Sequence, residues 1–307
     1  MLVKMAYSKS NSELNVNMIH MNDFMWCVEM HLTELCNMKC SFCPRAHGYE
    51  NENKHMSLET VKLVLDEMAT FDFDRDGWNK NINKSMWLEP HDKFRLHLAG
   101  RGEPALHPQF KEILEMILHR KNTDMPHLWC KVSTNGSRID KYYDLYKQLD
   151  AVNFSVYDEC KISYHQAKIK YKDIRVSDRR TKNVMEKPKE FRILNNRAGS
   201  VPDLNINRSE YKGHVRWGKI CHKPFNMIYV NWDGDYVLCC NDWRKTGHFT
   251  NIHNVPMLDF WNNDPDLNDY RNELLNGRRQ NKTPCSTCYK RPDVSFLMQL
   301  QEALDGE

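Results

Sequence analysis

No stretch of this chain approaches the ~18–20 consecutive apolar residues that a membrane-spanning helix needs. Met1 to Asp23 holds scattered Ser, Asn and Met but no apolar block, so no secretory signal is expected. Internal repeats and low-complexity segments are also lacking, which argues against a solenoid or a disordered tail. Charge of one sign is lacking too. The 44 Lys and Arg against 41 Asp and Glu leave a net charge of +3, so nothing in the overall balance points to nucleic acid. What remains is a cytoplasmic globular protein. Its 307 residues, 40% of them hydrophobic, suffice for one large domain and a small appended module.

What the chain has in excess is cysteine, eleven in all. In a reducing cytosol, clustered thiols serve more often as metal ligands than as disulfides. Cys36, Cys40 and Cys43 fall within eight residues, and Cys221, Cys239, Cys285 and Cys288 form a second, ordered set. Cys27 and Cys130 lie in apolar strand-like runs and read as buried small hydrophobes. Cys160 and Cys240 complete the count.

The first two-thirds alternates strands and helices. A strand is expected over Trp26–Leu32, then a helix capped by Ser57 and running to about Phe71, with Val61, Val64, Leu65 and Met68 on one face. After a polar loop, Asp72–Lys93, come a strand at Phe94–Leu98 and a helix with Phe110, Ile113, Leu114, Ile117 and Leu118 in one stripe. A strand at Leu128–Ser133, a helix at Ile139–Gln148 and a strand at Ala151–Val156 follow. Such alternation makes a parallel sheet with helices outside.

From Cys160 to Lys189 the pattern weakens, and ten Lys or Arg stand against three acids. A solvated face is the plain reading, and a docking surface for an anionic partner is the alternative. A strand is expected at Phe191–Leu194, then a polar linker to about Lys219. Met227–Trp232 and Tyr236–Cys240 flank Asp233-Gly234, a hairpin signal in which both turn positions would take positive φ. Helices follow near Met257–Asn262 and Pro265–Asn276.

Three thiolates on one short loop suit three irons of a 4Fe-4S cube, leaving the fourth iron open. A structural zinc site would want four ligands. Cys36-x3-Cys40-x2-Cys43 after a first strand, with Phe42 before the third cysteine, resembles the radical S-adenosylmethionine (SAM) superfamily. The resemblance implies a partial (β/α)6 barrel in which the open iron binds SAM and reductive cleavage yields a 5′-deoxyadenosyl radical. It also implies a reduced flavodoxin- or ferredoxin-type electron donor. Gly100-Arg101-Gly102-Glu103-Pro104 is similar to the family's GGEP segment, with Arg101 replacing a glycine. Ser133-Thr134-Asn135-Gly136 resembles the S/T-x-N-G stretch, and Ser155 stands where the family often carries a serine. By that resemblance Phe42, Gly100, Gly102, Glu103, Pro104, Ser133, Asn135 and Ser155 contact SAM.

The Cys-x12-Gly-x4-Cys opening from Cys221 to Cys239, closed by Cys285-x2-Cys288, resembles the SPASM/twitch extension of the same superfamily. It implies one auxiliary 4Fe-4S cluster on Cys221, Cys239, Cys285 and Cys288. Cys240 is a competing ligand, and strand alternation would let only one of the pair face the cluster.

The division expected is an N-terminal extension at 1–24, a radical SAM core at 25–200, a linker at 201–219 and an auxiliary module at 220–307. The four-cysteine spacing resembles that of aminocyclitol dehydrogenases, and the resemblance implies dehydrogenation of a sugar or cyclitol, with Arg197 and Arg244 as candidates to assist proton loss. The alternatives are maturation of a ribosomal peptide by thioether formation, crosslinking or epimerisation, and a zinc-stabilised nucleic-acid-binding module without catalysis.

Overall fold

The computed structural model describes residues 15–18, 25, 27–71, 94–180, 197–201, 221–247 and 249–288. The expected loop at 72–93, the strand at 191–194 and the linker to 219 lie almost wholly outside them.

Seven strands form one sheet: β1 (Cys27–His31), β2 (Arg95–Ala99), β3 (Trp129–Thr134), β4 (Ala151–Val156), β5 (Arg175–Asp178), β6 (Met227–Val230) and β7 (Tyr236–Val237). Their spatial order is β5-β4-β3-β2-β1-β6-β7. Every neighbouring pair from β5 to β6 is parallel, and only β7 runs antiparallel, on β6. This is the mostly parallel sheet of a partial barrel. The strand of the C-terminal hairpin therefore does not stand apart: it pairs with β1 from Cys27↔Met227 to Met30↔Val230.

Helices α1 (Leu58–Ala69), α2 (Phe110–Thr123), α3 (Ile139–Tyr146) and α4 (Tyr164–Lys170) follow the first four strands. Ser57 caps α1 by accepting from the Thr60 amide at 3.0 Å, one of the orphan donors of a helix start. The stripe Val61, Val64, Leu65 and Met68 is fully buried, as are Phe110, Ile113, Leu114 and Ile117 of α2. They pack on Val28, Met30, Leu96, Leu98 and Val132, which alternate along the strands. Each such side chain contributes ~1.5–3 kcal/mol by leaving water. Cys27 and Cys130 are buried as expected, and burial pushes the Cys27 thiol up to about 12.

Three findings differ from the sequence reading. The basic stretch contains an ordered helix and strand, α4 and β5, with a Ser163/Gln166 capping box at the start of α4. In the hairpin only Gly234 has positive φ, at 84°, because the turn is wider than two residues and Asn231 accepts from Gly234. And β7 ends at Val237, so strand alternation does not decide between Cys239 and Cys240.

The C-terminal part continues through α5 (Lys223–Asn226), α6 (Met257–Asn263) and α7 (Pro265–Leu275). It is tied to α1, where Glu67 accepts from the Met257 amide at 3.0 Å and Thr60 Oγ1 lies 3.0 Å from His253 Nε2.

Candidate active site

Loops leaving the C-terminal ends of parallel strands converge in any sheet of this kind, and here they enclose a cavity of about 170 Å³. Cys36, Cys40 and Cys43 line it together with Phe42, from the loop after β1. Gly100, Gly102 and Glu103 enter from the loop after β2, Ser133 and Asn135 from the end of β3, and Ser155 from β4. Pro104 lines no part of it. It is buried as the first residue of a short 3-10 turn.

The cysteine loop is held from several sides. The Cys43 amide donates to Cys40 O at 2.9 Å, and Glu103 N donates to Leu35 O at 2.8 Å. Asn135 Nδ2 donates to Asn37 Oδ1 at 3.0 Å and lies 3.8 Å from Cys36 Sγ. Burial pushes all three thiols up, and Glu159 and the neighbouring thiols push Cys40 further. In the isolated chain these groups resist ionisation, a cost that iron ligation would offset.

Gly102 has a specific reason to be glycine. A Cβ there would stand 2.4 Å from Thr33 O and 2.6 Å from Leu35 O, so the loop after β2 packs directly on the backbone leading into the cysteines. A Cβ on Gly100, whose φ is 113°, would strike the His31 ring at 2.4 Å.

Glu103 is buried and fully engaged by protein donors. It accepts from Thr134 Oγ1 and Asn135 N, each at 2.6 Å, and from Ala105 N at 3.2 Å. Its carboxyl therefore clamps the loop after β2 to the end of β3. Burial raises its pKa to about 7, against the pull of those donors.

Arg101, which replaces a glycine of the motif, is buried. It donates to Asp242 O at 2.9 Å and to Tyr49 Oη at 3.2 Å, while Tyr49 donates to Glu34. One side chain thus joins the loop after β2, the cysteine loop and the C-terminal part. Arg197 donates to Asn241 at 3.3 Å and lines the cavity with Trp243 and Tyr157. Arg244 is exposed and lines no part of it.

The second cysteine set gathers beyond β6. The Cys239 thiol is pushed well up by burial and by the nearby thiols of Cys240, Cys288, Cys285 and Cys221. Cys285 is pushed up to about 12, first by burial and then by Cys221. Two cations accompany these thiols: the buried Arg279, which donates to Cys285 O at 2.9 Å, and the half-buried Lys223. Burial opposes the charge on Lys223, but Cys240, Glu29, Cys221 and Cys239 outweigh it. Soft thiols beside two cations form a donor set suited to an anionic iron–sulfur cluster.

Residues 221–289 match the SPASM iron–sulfur cluster-binding domain. The chain is 21% identical over 262 residues to the S-adenosyl-L-methionine-dependent 2-deoxy-scyllo-inosamine dehydrogenase of Niallia circulans, covering 85% of this chain and 91% of that protein. Its fold is similar to the crystal structure of BtrN in complex with AdoMet and 2-DOIA, at TM-score 0.64 and 18% identity over 88% of this chain and 97% of that one. BtrN in an open conformation matches at TM-score 0.56 and 15% identity, over 87% and 92%. The cysteine loop, the fold and the domain match together resemble one class, the radical SAM enzymes with a SPASM-type C-terminal module. Within that class the chain is similar to a dehydrogenase of 2-deoxy-scyllo-inosamine that depends on S-adenosyl-L-methionine.

Sequence reasoning missed three cavity-lining or supporting groups. Tyr157, which packs against Phe42 with ring centroids 5.6 Å apart and planes tilted by 40°, carries no motif. The role of Arg101 is a departure from one. The third is a row of buried ionisable residues on the strands, Glu29, His31 and His97. Its signal was legible in Cys27-Val-Glu29-Met-His31, where polar residues recur with a period of two.

Proposed function

We propose that this enzyme dehydrogenates a secondary alcohol on a polyhydroxylated ring, a sugar or cyclitol. The observation that carries the reading is the placement of the C-terminal part. Trp243 and Arg197, the latter bonded to Asn241, sit on the wall of the cysteine-lined cavity, a few residues from Cys239. An acceptor held by Cys221, Cys239, Cys285 and Cys288 would then lie close to the substrate.

Cys36, Cys40 and Cys43 would hold the SAM-binding cluster. When bound, that cluster and SAM supply a 5′-deoxyadenosyl radical that removes a hydrogen atom, and the auxiliary cluster supplies an acceptor for the electron left behind. Among the chain's own groups, Phe42 and Tyr157 shield the cavity wall, Asn135 steadies the cysteine loop, and Glu103 fixes the two strand ends that frame it. Gly100, Gly102, Ser133 and Ser155 are the groups within reach of SAM, and Pro104 only shapes the turn. The reductant would be a flavodoxin- or ferredoxin-type protein of the cytoplasm. No helix among the described residues is long and apolar enough to cross a membrane.

The test is anaerobic turnover with SAM, dithionite and 2-deoxy-scyllo-inosamine, the substrate named for the curated relative. A keto product and 5′-deoxyadenosine in equal amounts are expected, and neither from the C36A/C40A/C43A variant. Reductive SAM cleavage by that triple variant, or a ring substrate released unoxidised while wild type consumes SAM, would defeat the reading.

A further inference from the structure

The strand face opposite the helices is polar. Glu29 and His31 on β1, His97 on β2, Ser133 on β3, Asn153 and Ser155 on β4 and Ser177 on β5 alternate with the apolar residues that meet the helices. Asn153 accepts from Ser177 at 2.7 Å and donates to Ser155 at 3.3 Å, so one end of the row is internally bonded. The other end forms a chain. His97 Nδ1 lies 3.0 Å from Glu29 Oε2, and His97 Nε2 lies 2.8 Å from Ser133 Oγ. His31 Nε2 lies 3.0 Å from Glu29 Oε1.

Burial works against a charge on Glu29, yet the two imidazoles outweigh it and hold the carboxyl well below the usual range. An ionised carboxylate only accepts hydrogen bonds, so the ring nitrogens facing it carry the hydrogens. In neutral His97 that leaves Nε2 to accept from the Ser133 hydroxyl. Ser133 lines the cavity with Cys36, Cys40 and Cys43. A second observation points the same way. His31 Nδ1 is buried and has no hydrogen-bond partner among the described residues, and its ring packs on Gly100 of the cavity loop. Cys27, Lys223 and Tyr229 also face Glu29, and Arg95 and Lys131 face Cys27 beside it.

We infer that Ser133, His97 and Glu29 form a relay that takes the hydroxyl proton of the substrate during its oxidation. This rests on the dehydrogenase reading. Converting a secondary alcohol to a ketone removes a hydrogen atom from carbon, an electron, and a proton from oxygen. The hydrogen atom leaves with the SAM-derived radical and the electron with an iron–sulfur acceptor. The proton needs a protein group. As the substrate O–H bond breaks, its proton passes to Ser133 Oγ while the Ser133 hydrogen passes to His97 Nε2. The C=O double bond completes, and the imidazolium is left paired with Glu29. Ser133 is the catalytic residue, and His97 and Glu29 act through it.

Two measurements test the relay. The first needs no substrate: nitrogen NMR of the oxidised holoprotein labelled with 15N-histidine, with H97Q and H31Q assigning the signals. The His97 ring should carry its hydrogen on Nδ1, and E29Q should disturb that tautomer. A hydrogen on Nε2 with Nδ1 bare would make His97 a donor to Ser133 and overturn the proposal. The second is turnover of 2-deoxy-scyllo-inosamine. H97Q and S133A should lose product formation by about a hundredfold or more. Calorimetric affinity for 2-deoxy-scyllo-inosamine, measured without reductant, should stay within about threefold of wild type for H97Q, since Gln still bonds to Ser133. The acid limb of the wild-type kcat/KM profile should vanish in H97Q. A wild-type rate and an unchanged profile in H97Q would also overturn it. If wild type fails to oxidise this compound, the substrate assignment falls, and the tautomer still decides the relay.

Discussion

Arg101 shows how a single departure from a motif can be structural. Buried and bonded to Asp242 O and Tyr49 Oη, it brings a charge to a place where the motif's glycine would bring none. Hydrogen bonds to a charged group are worth ~1.5–3 kcal/mol each, so R101A should lower unfolding stability by about 2–3 kcal/mol. Chemical denaturation of the two proteins checks this, and a loss under ~0.5 kcal/mol would mean that the bridge carries no weight. Glu103 gives a pH-dependent counterpart. In the folded protein its pKa is raised to about 7 by burial, above the ordinary glutamate value of 4.5. Between those values the folded state holds more proton than the unfolded one, so stability falls as pH rises through that window. The difference in stability between wild type and E103Q should therefore shift against wild type from about pH 4.5 to about 7 and level off above it. A flat difference would show that the three donors keep Glu103 ionised throughout.

Among the elements, those with apolar stripes were legible and those without were not. Val61, Val64, Leu65 and Met68 announce α1 because a helix must bury one face, and Ser57 marks its start. α4 and β5 escaped because Lys161, Lys168, Lys170 and Lys172 mask the buried Ala167 and Tyr171, although Ser163-x-x-Gln166 was a readable cap. The polar row on β1 to β3 escaped for a different reason. Glu29, His31 and His97 each sit between two large apolar residues, and a buried Glu is rare without partners that sequence order does not reveal. His97 lies 68 residues from Glu29, and only the parallel pairing of β1 with β2 brings them together. The cavity was legible nearly whole, since loops at strand ends meet in any such sheet. The sequence did not reveal why Gly102 is glycine: the close approach is to protein backbone. G102A should push the loop after β2 away from Thr33 and Leu35 and loosen the cysteine loop. Iron in the reconstituted variant should drop from about eight to about four per chain, with the C-terminal cluster kept. Full iron content in G102A would show that the contact is dispensable.

At the scale of the molecule, two sets of thiols are built onto one sheet. β1 leads into Cys36, Cys40 and Cys43, while β6, its direct neighbour, lies between Cys221 and Cys239. Lys223 and Tyr229 lie near both Glu29 and the thiols of Cys239 and Cys240, so the polar row of β1 and the second cysteine set are close neighbours. The most direct measurement of this account is the iron, sulfide and zinc content of the anaerobically reconstituted protein, taken alongside C36A/C40A/C43A and C285A/C288A. About eight iron and eight sulfide are expected for wild type, and about four of each for either variant, with no zinc. About four iron with stoichiometric zinc in wild type, or an unchanged iron content in C285A/C288A, would contradict it.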